Sequence, residues 1–409
     1  MKIIRLIILN YFWILVFQAN AQVVSLDSIL VQIDSRNPML AMYNSQIDAV
    51  NSSANGAKSW MPPTFSSGPW QVPYSNFNDG MWMFTGEQMI PNPSRQKANF
   101  NYMLGMVEVE KRGREAKRNE LFYSAKISYF SCAIAQKKLE ELVQTDSILN
   151  YILNVAQLRY TLNREKINSI YKTRAELYEL RNMQSMLLGE MKMRKAELNA
   201  LMNRDQTFVF EVDTVFVIHE YETSILDSSK IVGSRSDLKQ YEASKNLLLL
   251  QQRYERTKRL PDFGLSLSHM QSLNSMPNQY SAMGMISVPI APWSSNEYKS
   301  TIRALDHSIE SVNLQKEAML NEAMAMLVSI QGQLKSTKEQ LLNFRENILP
   351  AYLNNCKASI LAYEQNTEDL FVVLDALKMY RMSKMSELDQ WSSLLKLQVE
   401  YEKELQVDY

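Results

Sequence analysis

Residues 260–272 read Leu-Pro-Asp-Phe-Gly-Leu-Ser-Leu-Ser-His-Met-Gln-Ser, and their alternation decides the fold. Phe263, Leu265 and Leu267 take turns with Gly264, Ser266 and Ser268. Further on, Tyr280, Ala282, Gly284, Ile286 and Val288 take turns with Ser281, Met283, Met285 and Ser287. Successive side chains of a strand point to opposite faces. A period of two held over about ten residues therefore predicts a strand with one apolar wall. Pro261 and Pro289 punctuate the two ends, so a β-hairpin is expected at about 261–289.

The same plan occurs earlier in the chain. Leu40 and Leu238, Tyr43 and Tyr241, Pro63 and Pro261, Phe65 and Phe263, Gly86 and Gly284, and Pro91 and Pro289 all share one offset. These identities fall at the landmarks that stop helices and start strands. A first hairpin is expected at about 63–91, less regular because its Phe65 strand is short and Met81–Ile90 carries Glu87 and Gln88. Trp60, Trp70, Tyr74, Trp82, Phe84, Tyr280 and Trp293 sit at or near these strands. Such residues suit the interfacial belts of a membrane barrel or the core of a small soluble sandwich.

All of the twelve prolines except Pro38 and Pro350 cluster around the hairpins, and none lies between Ser94 and Leu260. Proline breaks helix interiors, so its absence permits very long helices. The stretch from Ser94 to about Tyr160 would extend on the order of 100 Å at the helical rise. Leu320, Leu327, Leu334, Leu341 and Ile348 recur every seven residues, with Ala323, Ile330, Thr337 and Phe344 between them. That is the a/d seam of a coiled coil. Pro350 is expected to divide this helix from the next. Tyr160–Arg164 and Tyr363–Thr367 read as matching helical reversals. Phe208, Phe210, Val212 and Val215–Ile218 read as short strand, with turn residues at Asp213 and Thr214.

The chain begins like an export signal, with Lys2 and Arg5, an apolar run from Ile3 to Phe17, and Ala19-Asn20-Ala21 as the cleavage pattern. Residues 1–21 are expected to be removed, and no cysteine follows the cut to carry a lipid anchor. No later run is apolar enough to cross a bilayer as a helix, so any membrane contact would need strands. Zero formal net charge with 22% charged residues argues against nucleic-acid binding. Cys132 and Cys356 leave both a disulfide and two buried thiols open. The three histidines, His219, His269 and His307, are not at ligand spacing. The 24 methionines invite soft copper(I) ligation. Met319, Met324 and Met326, however, sit at helical spacing and read as packing residues. No nucleophile, base and orienting group assemble, nor any phosphate loop, so no enzyme, cofactor or metal centre is expected.

In this order, the duplicated plan, Arg235-Ser236-Asp237-Leu238, Leu260-Pro261-Asp262-Phe263, Val288-Pro289, and Tyr363-Glu364-Gln365-Asn366-Thr367 followed by Leu374-Asp375-Ala376 carry a resemblance. The mature chain resembles the TolC-like outer-membrane efflux proteins. Gln88-Met89-Ile90-Pro91-Asn92-Pro93 is most similar to the heavy-metal and cation efflux branch, although Ser94-Arg95 stands where that branch commonly has glycine and lysine. The resemblance implies a mainly α fold with a pair of β-hairpins. Long antiparallel coiled-coil helices would build a tunnel, and each protomer would give four strands to a trimeric, 12-stranded outer-membrane barrel. Residues 22–204 would form the first repeat, 205–230 an equatorial linker and 231–409 the second repeat.

Asp375 matches the family aspartate at the periplasmic constriction, where three copies would form an acidic ring that attracts cations. Val372 stands where the family often has a second acid. Tyr160, Asn163, Tyr363, Asn366, Thr367, Glu368 and Asp369 are the candidate tip residues for a periplasmic adaptor. The implied protein is a passive homotrimeric duct in the outer membrane of a Gram-negative bacterium. Its partners would be outer-membrane lipid, the adaptor and a proton-driven inner-membrane pump, and its cargo metal cations or small toxic compounds. A duct for protein or peptide secretion is the alternative within the family. A soluble periplasmic coiled-coil scaffold is the alternative outside it.

Overall fold

The structure is a computed structural model and describes residues 23–74, 79–219, 231, 233–274 and 276–406. The expected export signal and residues 220–230 of the expected linker lie outside these. The chain divides into two units, one comprising Ala41–Lys117 with Asp227–Glu322, the other Met1–Leu40, Arg118–Leu226 and Ala323–Tyr409.

The first unit is built on a single antiparallel sheet. Its strands are β2 (Thr64–Trp70), β3 (Met81–Ile90), β5 (Phe263–Ser272) and β6 (Gln279–Ile286), paired in the order β2-β3-β5-β6. The two hairpins of the repeat therefore join through β3 and β5, in register from Met81 opposite Ser272 to Ile90 opposite Phe263. The Arg95 guanidinium pairs with Asp262 and also donates to the Leu260 carbonyl at 3.0 Å. Asn92 donates to the Pro261 carbonyl at 3.3 Å and accepts from the Ser94 amide at 3.0 Å. The exit of one hairpin is thus tied to the entrance of the other. Helical segments accompany the sheet: α2 (Pro38–Gly56) from Ala41 on, the first part of α3 (Pro93–Thr161), α5 (Ser236–Thr257) and the first part of α6 (Pro292–Asn343). Lys316 of α6 pairs with Glu242 of α5 at 2.6 Å, and Tyr102 of α3 stacks on Tyr254 of α5 with ring centroids 6.2 Å apart.

The second unit is a helical bundle with two apolar clusters. The first gathers Ile29 and Ile33 of α1 (Leu26–Arg36), Leu121, Phe122 and Cys132 of α3, and Leu198 of α4 (Ile167–Leu201). Beside it β1 (Val23–Val24) and β4 (Glu211–Val212) form one short parallel pair. That pair is all the regular strand among the described residues of the segment, where the sequence predicted more over Phe208–Ile218. Tyr129 accepts from the Asp213 amide at 3.0 Å, and Asp213 folds into a side-chain turn with Val215.

The second cluster combines Leu142, Leu149 and Ala156 of α3, Ile170 and Leu177 of α4, Cys356 and Tyr363 of α7 (Leu349–Glu364), and Leu370, Val373 and Leu377 of α8 (Leu370–Leu405). Seven-residue steps recur in α3, α4 and α8, as knobs-into-holes packing requires. Ion pairs cross these helices. Lys126 of α3 meets Glu402 of α8 at 2.7 Å, both nearly buried, and Arg381 of α8 meets Glu176 of α4 at 3.5 Å. Both cysteines are free and buried, so the two-thiol alternative holds. Desolvation raises the pKa of each thiol, which keeps both protonated and inert.

The predicted seam of α6 is buried at Ala323, Leu327, Ile330 and Leu341. Pro350 does not end the helix as expected. A π-helical turn, Phe344–Ile348, leads from α6 into α7, with the Leu349 amide donating to the Phe344 carbonyl. Its wider turn takes in one extra residue and leaves space for the proline ring, which an ordinary α turn would press against a carbonyl. The seam shifts by one position as a result, and Leu349 rather than Ile348 becomes buried.

Candidate functional site

Two places carry the features from which function was expected: the surfaces of the sheet and the helical reversals with the start of α8. In a pleated sheet, residues paired across strands share a face. One face therefore carries Phe65, Phe84, Phe263, Leu265, Leu267, Ala282 and Ile286. All of them are exposed; Phe65 is 81% accessible and Leu267 65%. The opposite face buries Thr85, Ser266 and Ser268, with the Thr85 and Ser268 hydroxyls bonded to each other at 2.9 Å. This inverts the arrangement of a water-soluble sheet, which covers its apolar face. Each such side chain left in water forfeits about 1.5–3 kcal/mol of burial. The exposed face also forms an apolar groove of about 660 Å³ between Phe65, Phe84, Leu265 and Leu267.

The aromatic residues follow suit. Trp60, Trp70, Tyr74, Tyr280 and Trp293 are exposed, and the Trp82 indole donates to Ser67 at 2.7 Å. None forms the core of a sandwich, because a second sheet does not cover this one among the described residues. The outer edges of β2 and β6 have no strand partner among the described residues.

The two reversals share one geometry. In the first, the Asn163 amide bonds to Tyr160 and the Arg164 amide to Arg159. In the second, the Asn366 amide bonds to Tyr363 and the Thr367 amide to Ala362. Asn163 at φ 58° and Asn366 at φ 60° supply the left-handed residue that this C-terminal cap requires. Asn203 and Gln406, also left-handed, close α4 and α8. The interval between each pair is the same, and slightly longer than that relating Pro91 to Pro289. The duplication thus extends to the caps of the helices.

The reversals are bound to each other. Arg159 donates to the Glu364 carbonyl at 3.0 Å and stands over the Tyr363 ring at 4.1 Å. The Tyr363 hydroxyl donates to Glu165 at 2.9 Å, and the Tyr151 hydroxyl to Glu364 at 3.1 Å. Burial, then the bond to Glu165, pushes the Tyr363 pKa well above the ordinary tyrosine range. Of the seven candidate tip residues, Tyr160, Asn163, Asn366, Thr367, Glu368 and Asp369 are exposed. Tyr363 is buried, because its ring fills the space between the two turns. Asp369 also caps α8, accepting from the Phe371 amide at 2.9 Å. Arg159, Glu165 and Tyr151 escaped the sequence reading, since nothing local marks a residue whose partner lies in the other half.

Asp375 lies on the exposed stripe of α8 that runs Val372, Asp375, Met379, Met382. Steps of three and four keep these residues on one face, a signal that was available in the sequence. Glu176, Lys378 and Arg381 form the nearby ion pairs, and Asp375 takes no part in them. Among the described residues no helix is long and apolar enough to cross a membrane, and no three His, Cys, Asp or Glu side chains gather to hold a metal.

No family model matches the chain, and no curated protein matches it significantly. Solved structures do. The outer-membrane channel OprN aligns with a TM-score of 0.78 at 13% identity, over 93% of this chain and 89% of that one. CusC, whose structures describe conformational changes accompanying folding and transmembrane channel formation, aligns with a TM-score of 0.78 at 13% identity, over 93% and 91%. The MtrE outer-membrane channel of Neisseria gonorrhoeae in its open state aligns at 0.73 and 13%, over 93% and 88%. At such identity the likeness establishes architecture, and the chain has the fold of the TolC-like outer-membrane channels.

Proposed function

We propose that the chain is one third of an outer-membrane channel serving a tripartite efflux system. The observation that carries this reading is the inverted sheet, apolar where it is exposed and hydroxyl-bearing where it is buried. An apolar outer wall is stable against lipid and unstable against water. The unpaired edges of β2 and β6 call for further strands. Two copies would give eight strands, whose interior side chains fill. Three copies give twelve, the smallest such assembly with room for a lumen.

In this reading Asp375 from three protomers forms an acidic constriction, and the exposed tip residues meet a periplasmic adaptor. The duct is passive, driven by an inner-membrane pump, and passes metal cations or small toxic compounds outward. The test is purification in detergent followed by reconstitution in planar bilayers. The expected result is a heat-modifiable trimer that conducts ions. A monomer that stays in solution without detergent would refute the proposal.

A further inference from the structure

The extra residue of the π turn fixes more than the place of Leu349. Leu327, Leu334 and Leu341 of α6 stand at seven-residue steps, and the same steps lead on to Ile348, Asn355 and Ala362. The residues buried in α7 lie one position later, at Leu349, Cys356 and Tyr363. Asn355 is exposed and Ala362 only partly buried. Two seams are therefore written into α7 one residue apart, and the turn Phe344–Ile348 decides which of them faces the core. The observed seam places Cys356 and Tyr363 in the cluster with Leu149, Leu177 and Leu370, and brings the Tyr363 hydroxyl to 2.9 Å from Glu165. Pro350 sets where the turn lies. It has no amide hydrogen, and in an unbroken α-helix its ring would press on the Glu346 carbonyl. The middle of the turn, Arg345 to Asn347, is exposed, so the proline rather than core packing keeps the extra residue there.

We propose that this turn is a register switch for α7, pinned by Pro350. When its extra residue passes from Phe344–Ile348 to the exposed reversal at Glu364–Thr367, α7 turns by about 100° and moves about 1.5 Å along its axis. Ile348, Asn355 and Ala362 then take the places of Leu349, Cys356 and Tyr363. Cys356 moves toward solvent, and Tyr363 leaves Glu165 and Arg159, which loosens the second reversal from the first. The observed phase is the resting one, because Leu349 and Cys356 bury more apolar surface than Asn355 and Ala362 would. The second phase is a minor state reached without unfolding a helix. An exposed reversal takes in one residue more readily than a packed helix does. Single π turns inside helices are rare and recur at functional places.

The experiment alkylates the full-length protein in detergent with N-ethylmaleimide and follows each cysteine separately by peptide mass spectrometry. Cys356 reports the phase of α7, and Cys132, buried in the other apolar cluster, reports general loosening. Pro350→Ala removes the pin and should raise the labelling rate of Cys356 about tenfold, while that of Cys132 stays as in the wild type. Deleting Glu346 in the Pro350→Ala background removes the extra residue itself. Leu349, Cys356 and Tyr363 then continue the α6 seam in an ordinary helix, and Cys356 should return to wild-type protection. The deletion rescues only an effect of phase, since a helix that was merely weakened would be weakened further. Equal Cys356 labelling in Pro350→Ala and the wild type, parallel rises at both thiols, or exposure that survives the deletion would each overturn the switch. None of these readouts requires conductance, so the channel reading stands or falls separately.

Discussion

The Tyr363 hydroxyl donates to Glu165 Oε2 at 2.9 Å, one of the bonds that join the helical reversal of the second repeat to that of the first. Tyr363→Phe keeps the ring under Arg159 and removes only the donor. A hydrogen bond to a charged partner contributes about 1.5–3 kcal/mol, so a measurable fall in Tm is expected. The pH dependence has a definite sign. The folded-state pKa is raised, so the stabilisation is complete below the ordinary tyrosine pKa of about 10 and is lost as pH rises toward the folded value. Thermal melts across alkaline pH should therefore fall less steeply in the variant. Parallel curves would remove this assignment.

Asn366 adopts φ 60° one residue past the C-cap of α7, Gln365. Left-handed backbone costs most L-residues about 1–2 kcal/mol, asparagine less, and glycine almost nothing. Asn366→Ala should lower stability in denaturant titrations, and Asn366→Gly should preserve or raise it. The same order is expected at Asn163, where φ is 58°.

Leu349 is buried, whereas Ile348 is only partly so, because the π turn delays the seam by one residue. Leu349→Ala should cost about 2–5 kcal/mol and Ile348→Ala distinctly less. Equal losses in equilibrium unfolding would mean that the seam keeps its heptad phase through the turn.

Leu265 is 56% exposed on the apolar wall of the sheet. If lipid covers that wall, Leu265→Arg should cost about 2–4 kcal/mol near mid-membrane and reduce the yield of membrane-extracted trimer. On a water-facing wall the same change would be harmless. Normal yield and normal heat-modifiability of the variant count against lipid contact there.

Asp375 is exposed on α8 and remains outside the neighbouring ion pairs. In a three-fold assembly its carboxylates would attract cations into a constriction. Asp375→Asn is expected to lower cation selectivity, read from reversal potentials under a salt gradient. Unchanged potentials would assign the residue to a solvated helix surface.

The regular parts of the fold were legible because they repeat along the chain. Alternation at 263–288 marked β5 and β6, the proline-free interval allowed the 69 residues of α3, and heptads at 320–341 gave the α6 seam. Tyr160–Arg164 and Tyr363–Thr367 declared themselves as reversals through an asparagine followed by polar residues. At Pro350 the same approach failed. A proline usually ends a helix, and no local pattern says that a π turn will absorb it. The buried place of Tyr363 was equally hidden, since Arg159 and Glu165 reach it from about two hundred residues away.

Because backbone preference and side-chain period act over neighbouring residues, sequence alone marked the strands of the hairpins, the long helices and the matching reversals, though it predicted more strand near 208–218 than the structure holds. Tertiary pairing decided the rest. Registering β3 against β5 determined that phenylalanine and leucine share the bare wall while serine, threonine and methionine share the other. A strand has two faces, and only its partners decide which side chains gather on each.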